Sequence, residues 1–180
     1  MIQLASLTME DVENARAWRD AAQASLRTPH ALTKEMQEAF YRDVVCRRDA
    51  PHRYWAVRLM GTGRRIGMGG LTNIQWENGI AEISLILAPS EIGKGDGEEA
   101  ASLLLKEAFD RMGLRTVCGE CYHCSPARGF WRRVVAAHCG TIVILPRRKR
   151  WDGRLWGADY FTIIAPTERE KDQPGCASQA

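Results

Sequence analysis

The spacing of apolar and polar residues changes period several times along the chain, and each change marks an element. Residues 2–7 alternate and predict a short first strand. Thr8 then caps a helix through about Asp20, with Asp11 three residues on and Val12, Ala15 and Trp18 at helical spacing. Thr28-Pro29-His30 breaks the pattern. Thr33 caps a second helix through about Val45, with Met36, Phe40 and Val44 on one face. Tyr54–Leu59 reads as a strand, Gly61-Thr62-Gly63 as a turn, and Arg65–Leu71 as the returning strand of a hairpin.

Asn78-Gly79 marks a further turn before Ala81–Leu87, the strongest strand signal in the sequence, which Pro89 ends. Gly93, Gly95 and Gly97 then run into a helix through Asp110, and Gly113-Leu114 stops it. Residues 115–124 read as a strand, and Pro126 opens a helix through about His138. Two late strands, near 141–146 and 158–164, bracket a basic turn at Asp152-Gly153. The order is β-α-α-β-β-β-α-β-α-β-β, in one domain spanning 1–166. The polar tail 167–180 is expected to be disordered.

Composition narrows this picture without redirecting it. The chain has 180 residues, 45% hydrophobic and 26% charged, which suits one globular domain with an ordinary core. A formal charge of +3 is too small to imply nucleic-acid binding, but several cations crowd into Arg147–Arg154. Met1–Leu4 shows no secretory signal, and no stretch approaches the ~18 apolar residues of a membrane span. A cytoplasmic location and free thiols at the six cysteines are therefore expected. Cys118, Cys121 and Cys124 have metal-like spacing, with His123, His138 and Cys139 nearby. In a strand, however, Cys121 faces away from the other two, so no metal site is expected.

The chemistry centres on a strand, a glycine-rich turn and a helix. Glycines at 93, 95 and 97 free the backbone to aim several N–H groups at one point, and the helix adds the positive end of its dipole. Such an arrangement holds phosphates, although it also serves as a plain connector. The spacing is neither that of a dinucleotide-binding fingerprint nor that of a P-loop.

Ile92-Gly93-Lys94-Gly95-Asp96-Gly97-Glu98 resembles the pyrophosphate-binding loop of the GNAT acetyltransferases. Trp18-Arg19-Asp20 is similar to a first-helix segment of the branch containing ribosomal-protein N-terminal and amino-sugar acetyltransferases. Ile66–Ile74 with Ala81-Glu82-Ile83 resembles that branch's third and fourth strands. Val117–Trp131 resembles its fifth strand and the following helix. The resemblance implies a mixed, mostly antiparallel α/β sheet splayed between strands four and five and flanked by about four helices. It places acetyl-CoA in the gap as co-substrate. Leu85, Ile86 and Leu87 would offer backbone groups to pantetheine, and Ile92, Gly93, Lys94, Gly95, Asp96, Gly97 and Glu98 would surround the pyrophosphate. The chain departs from the family at Ile92, where a polar residue is usual, with Lys94 as a source of charge. It departs again at Asp96, usually apolar. Cys124 stands for the usual Asn, and Trp131 for a Tyr that often protonates the thiolate.

That resemblance implies direct attack of a primary amine on the thioester, with a carboxylate accepting the amine's proton. Glu120, mid-strand among apolar residues, is the first candidate base and Glu82 the second; a salt bridge to arginine is the alternative for each. Tyr122, His123 and Cys124 are candidate acids. Trp18, Arg19, Arg27, Tyr122, Arg150 and Trp151 are expected to border the acceptor pocket. The strip 147–156 interleaves cations with aromatics and favours an anionic acceptor or nucleic acid, or else is an exposed hairpin turn. The acceptor is left unidentified: a small molecule, a sugar nucleotide, a protein N-terminus or an aminated nucleobase would each supply the amine. The alternative is a GNAT-like protein that modifies or binds nucleic acid, or binds CoA, without standard acetyl transfer. A homodimer through the late strands is also implied.

Overall fold

The computed structural model describes residues 1–27 and 29–169. Seven strands form one sheet in the order β1-β2-β3-β4-β5-β7-β6. They are β1 (Ile2–Ser6), β2 (Arg53–Leu59), β3 (Arg65–Gln75), β4 (Ile80–Leu87), β5 (Thr116–Tyr122), β6 (Thr141–Trp151) and β7 (Arg154–Ile164). Neighbours pair antiparallel except β4 and β5, which are parallel. The expected element order is the observed one, and the sheet is the mixed α/β arrangement that the resemblance implies.

Helix α1 (Met9–Ala21) begins with a reciprocal capping box: Thr8 accepts from the Asp11 N–H, and Asp11 accepts from the Thr8 N–H. Helix α2 (Lys34–Phe40), capped by Thr33, widens into a π-turn over Tyr41–Val45. Its inward face differs from expectation, since Met36 is exposed and Gln37 is buried. The Gln37 amide donates to the Val12 carbonyl at 2.8 Å, which makes a polar residue the contact point with α1. Helix α3 (Asp96–Lys106) and helix α4 (Arg128–Ala137) follow β4 and β5. A short α5 (Pro166–Arg169) replaces the first residues of the expected polar tail; residues 170–180 of that tail lie outside the described residues.

The helices cover opposite faces of the sheet. Leu104 and Leu105 of α3 and Val134 and Val135 of α4 pack with Leu71, Ile83, Val117, Phe161 and Ile163 in the main core. On the other face Val12 of α1 packs with Leu7 and Ala56, against Phe40 and Met68. Alternation along the strands therefore separates two environments: odd-numbered residues of β5 and β7 enter the main core, and even-numbered ones face the α1–α2 side. Gly119 belongs to the core set. A Cβ there would lie 2.3 Å from Cζ of the buried Phe161 ring, so close approach excludes any side chain.

Candidate active site

The parallel pairing of β4 and β5 ends after three residue pairs, Ile80↔Thr116, Ala81↔Val117 and Glu82↔Cys118. β4 continues to Leu87 with β3 along one edge, through Leu85, Ile86 and Leu87, while its other edge leaves β5. The sheet thus forks, and backbone groups of alternate residues within 83–87 face the gap. This is the splay that the resemblance implies.

At the far end of the fork, Gly93 and Gly95 adopt left-handed backbone (φ 86° and 92°), and Gly95 is the N-cap of α3 without a side-chain cap. First-turn N–H groups of a helix lack intrahelical partners, so Asp96 and Gly97 present donors and the positive dipole end to the gap. The loop is braced from below by Glu91. This buried carboxylate accepts from Arg64 at 2.7 and 3.1 Å, from the Ser90 hydroxyl at 3.0 Å and from Lys94 at 3.4 Å. The Arg64 guanidinium beside it holds its pKa down to about 2. Lys94, expected as free charge for the loop, is instead tied back to Glu91. Ile92 is exposed, and Glu98 pairs with Arg133 at 2.8 Å.

On the α1–α2 side of the fork lies a cavity of about 620 Å³, lined by Arg27, Glu82, Cys118, Glu120, Leu145, Arg148 and Tyr160. Strand register explains the set. Glu82 lies opposite Cys118 on the last bridged pair, and Glu120 lies opposite Tyr160 on β7, all on one face. Glu120 accepts from Arg148 Nε at 2.7 Å and lies 4.0 Å from Arg27. Glu82 binds Arg27 on one oxygen and the Asn73 amide at 2.9 Å on the other. Asn73 occupies a bulge in β3 with left-handed backbone (φ 50°), a conformation that Asn tolerates better than most residues. Both candidate carboxylates thus face one cavity, and each has the arginine partner that sequence reasoning posed as the alternative. The Tyr160 hydroxyl, hydrogen-bonded to Cys118 and partly desolvated, is pushed up to about 12.

Other expected site residues lie elsewhere or serve packing. Trp131 stacks on Phe161 with centroids 5.2 Å apart and contacts Phe130 at 4.9 Å, so its indole fills the core. Cys124 donates weakly to the Ala24 carbonyl at 3.5 Å, and His123 Nε2 lies 2.9 Å from Asp159. Tyr122 is buried, under the Lys149 ammonium. Trp18 and Arg19 are half-buried on α1 outside the cavity lining; burial holds the Arg19 guanidinium below its usual range. Cys121 is buried, and desolvation pushes its thiol up to about 11.

The basic strip needs the clearest correction. Arg150 and Trp151 do not line the cavity; Arg148 does, and Lys149 is buried beside it. Residues 147–151 belong to strand β6 rather than to the turn, and the irregularity between Leu145 and Lys149 adds two residues on β6, which leaves Lys149 on the face of Leu145. Lys149 Nζ donates to the carbonyls of Gln23, Ala24 and Leu26 at 3.0, 2.7 and 2.6 Å. It thereby fastens the 3-10 turn Gln23–Ser25, and with it Arg27, against the sheet. Sequence reasoning did not single out Leu145, Tyr160 or Asn73; it held Arg148 and Lys149 only within the basic strip and Cys118 only among the thiols. The pairing of Glu120 with Tyr160 was recoverable from strand alternation, whereas the bulges left no signal.

Among the described residues, no helix is long and apolar enough to cross a membrane. Solved structures share the fold at low identity. The spermidine N-acetyltransferase of Vibrio cholerae in complex with CoA and spermine superposes with a TM-score of 0.80 at 17% identity, covering 91% of this chain and 95% of that one. Mutant forms of the spermidine/spermine N-acetyltransferase SpeG from Vibrio cholerae give 0.79 at 15%, covering 96% and 98%. A dodecameric structure of the Vibrio cholerae enzyme gives 0.78 at 16%, covering 96% and 98%. These structures are of spermidine N-acetyltransferases and do not single out the ribosomal-protein or amino-sugar branch that the sequence motifs suggest; at this identity they speak for fold alone. No curated protein sequence matches the chain. A family model for the acetyltransferase (GNAT) domain matches residues 2–124, and with the forked sheet this places the chain in the GNAT acetyltransferase family.

Proposed function

We propose that the protein transfers an acetyl group from acetyl-CoA to a small primary amine, by direct attack in a ternary complex. The observation that carries this reading is the pair of carboxylates, Glu82 and Glu120, facing one cavity where the sheet forks. In this reading the open edge of β4 receives pantetheine, and the Gly93–Glu98 loop receives the pyrophosphate. The amine enters from the α1–α2 side. Its nitrogen attacks the thioester carbonyl carbon, the C–N bond forms as the C–S bond breaks, and the nitrogen's proton passes to Glu120, with Glu82 orienting the amine. Free backbone N–H groups along β4 support the oxyanion. Trp131 offers no useful acid, so the departing CoA thiolate takes its proton from another group or from water.

Spermidine enzymes of known structure share this fold, which supports a small amine over a nucleobase. Two cations of the strip once suited to nucleic acid, Arg148 and Lys149, are engaged inward. The Trp18-Arg19-Asp20 segment supports the ribosomal-protein and amino-sugar branch within the superfamily. A homodimer is supported by Val143 and Ile144, exposed on the edge strand β6.

The test is thiol release from acetyl-CoA with a panel of primary amines, for the native protein and for Glu120→Gln and Glu82→Gln. Loss of the base should lower kcat/KM by about 10²–10⁴-fold while the thermal shift produced by acetyl-CoA persists. Native rates in both variants would overturn the assignment.

A further inference from the structure

Charge around the acceptor cavity is arranged in two layers. Glu82, Arg27, Glu120 and Arg148 form an alternating chain, in which Arg27 reaches both carboxylates and Arg148 caps the second. The carboxylate side chains are 23% and 7% exposed, the guanidinium side chains 57% and 50%. The acids therefore make the floor and the arginines the rim. Leu145 and Tyr160 supply apolar wall between them. Lys149 has all three ammonium protons committed to the carbonyls of Gln23, Ala24 and Leu26, so it holds the turn before Arg27 and stands outside this alternating chain. Two guanidiniums thus rim two carboxylates.

From this layering, and resting on the acetyl-transfer reading above, we propose that the acceptor carries an anionic group, a carboxylate or a phosphate, a few methylenes from its primary amine. The amine displaces guanidinium from the floor carboxylates. The released Arg27 and Arg148 forks then close on the anion, which planar, bidentate guanidinium suits. Every charge separated on entry regains an opposite partner. A diamine or polyamine can repeat only the first half of the exchange: its second ammonium meets two unpaired guanidiniums at the rim, and like-charge juxtaposition disfavours binding. This distinguishes the chain from the spermidine enzymes that share its fold.

The experiment compares matched amines with acetyl-CoA held saturating. The pairs are δ-aminovalerate against cadaverine and phosphoethanolamine against ethylenediamine, with δ-aminovalerate methyl ester as the neutral control. In at least one pair the anionic amine should exceed its diamine in kcat/KM by about tenfold, the equivalent of about 1.4 kcal/mol, with the ester between its two relatives. Arg148→Glu should lower that ratio at least tenfold. A native ratio at or below one in both pairs overturns the proposal, as does a ratio unmoved by Arg148→Glu. If no amine is acetylated, the failure belongs to the acetyl-transfer reading, and calorimetric binding to the protein–CoA complex decides the proposal alone. Preferential binding of the anionic amine supports it, and equal or tighter binding of the diamine overturns it.

Discussion

Replacing Lys149 by Met tests whether one buried ammonium builds the acceptor side of the site. Met keeps most of the stem, so apolar packing changes little, and the loss is confined to the charge. Three hydrogen bonds of 2.6–3.0 Å to carbonyls disappear, together with two cation–π contacts at 4.9 Å to Tyr122 and Trp151. Hydrogen bonds from a charged donor contribute about 1.5–3 kcal/mol each, and cation–π contacts about 0.5–1 kcal/mol. Against this stands the cost of burying the ammonium, which draws its pKa below the usual lysine value. The freed carbonyls also end a surface turn, where water can replace part of what is lost. The net cost should be about 2–3 kcal/mol, a fall in Tm of roughly 5–10 °C for a domain of this size. Arg27 follows that turn directly, so the acceptor KM should rise about tenfold. The glycine loop at 93–97 is untouched, so the Tm gain on adding acetyl-CoA should equal that of the native protein. Scanning fluorimetry and steady-state kinetics measure all three. A Tm within about 1 °C of native would refute the anchoring role. A fallen Tm with an unchanged acceptor KM would refute its link to the site.

Other sites give sharper, smaller tests. Asp159 is buried and accepts from Arg128, Arg132 and His123 at 2.6–3.2 Å, which keeps its carboxyl far below the usual range. Asp159→Asn should cost about 2–3 kcal/mol in urea unfolding, less than a fully buried pair because both arginines can rehydrate. Glu91 is held near 2 when folded and titrates at about 4.3 unfolded, so its stabilisation is complete above about pH 4.5 and is lost as pH falls towards 2. Glu91→Gln should flatten the acid-unfolding curve, followed by circular dichroism, in that window. Gly119→Ala should cost about 2–3 kcal/mol by thermal unfolding, since the added methyl must displace the Phe161 ring and, behind it, Trp131.

What the sequence disclosed and what it withheld divide along a physical line. Turns at Gly61–Gly63, Asn78-Gly79 and Asp152-Gly153 demand particular backbone conformations that few residues supply, so strand order was legible from them. The pyrophosphate loop was legible for the same reason. Glu82 and Glu120 stood out because carboxylates inside apolar strands need an explanation, and strand alternation puts both on one face. Their partners were hidden. A bulge inserts a residue without altering composition, and every side chain beyond it changes face. Such a one-residue shift in β3 is why Asn73 reaches Glu82. Gln37 was hidden differently, because its burial is explained only by a carbonyl on another helix.

The brevity of the parallel pairing has a consequence for how the chain assembles. Strands β1–β4 and strands β5–β7 each contain only antiparallel pairs, several of them tight hairpins, while the two groups join in the sheet through three residue pairs. The hairpins β2–β3, β3–β4 and β6–β7 close short loops, whereas the junction closes a loop that contains all of α3. Those three hairpins should therefore acquire hydrogen-exchange protection early in refolding. Pairings across the junction should gain theirs after the hairpins, so the seam from which the fork opens is also a seam by which the molecule is closed late.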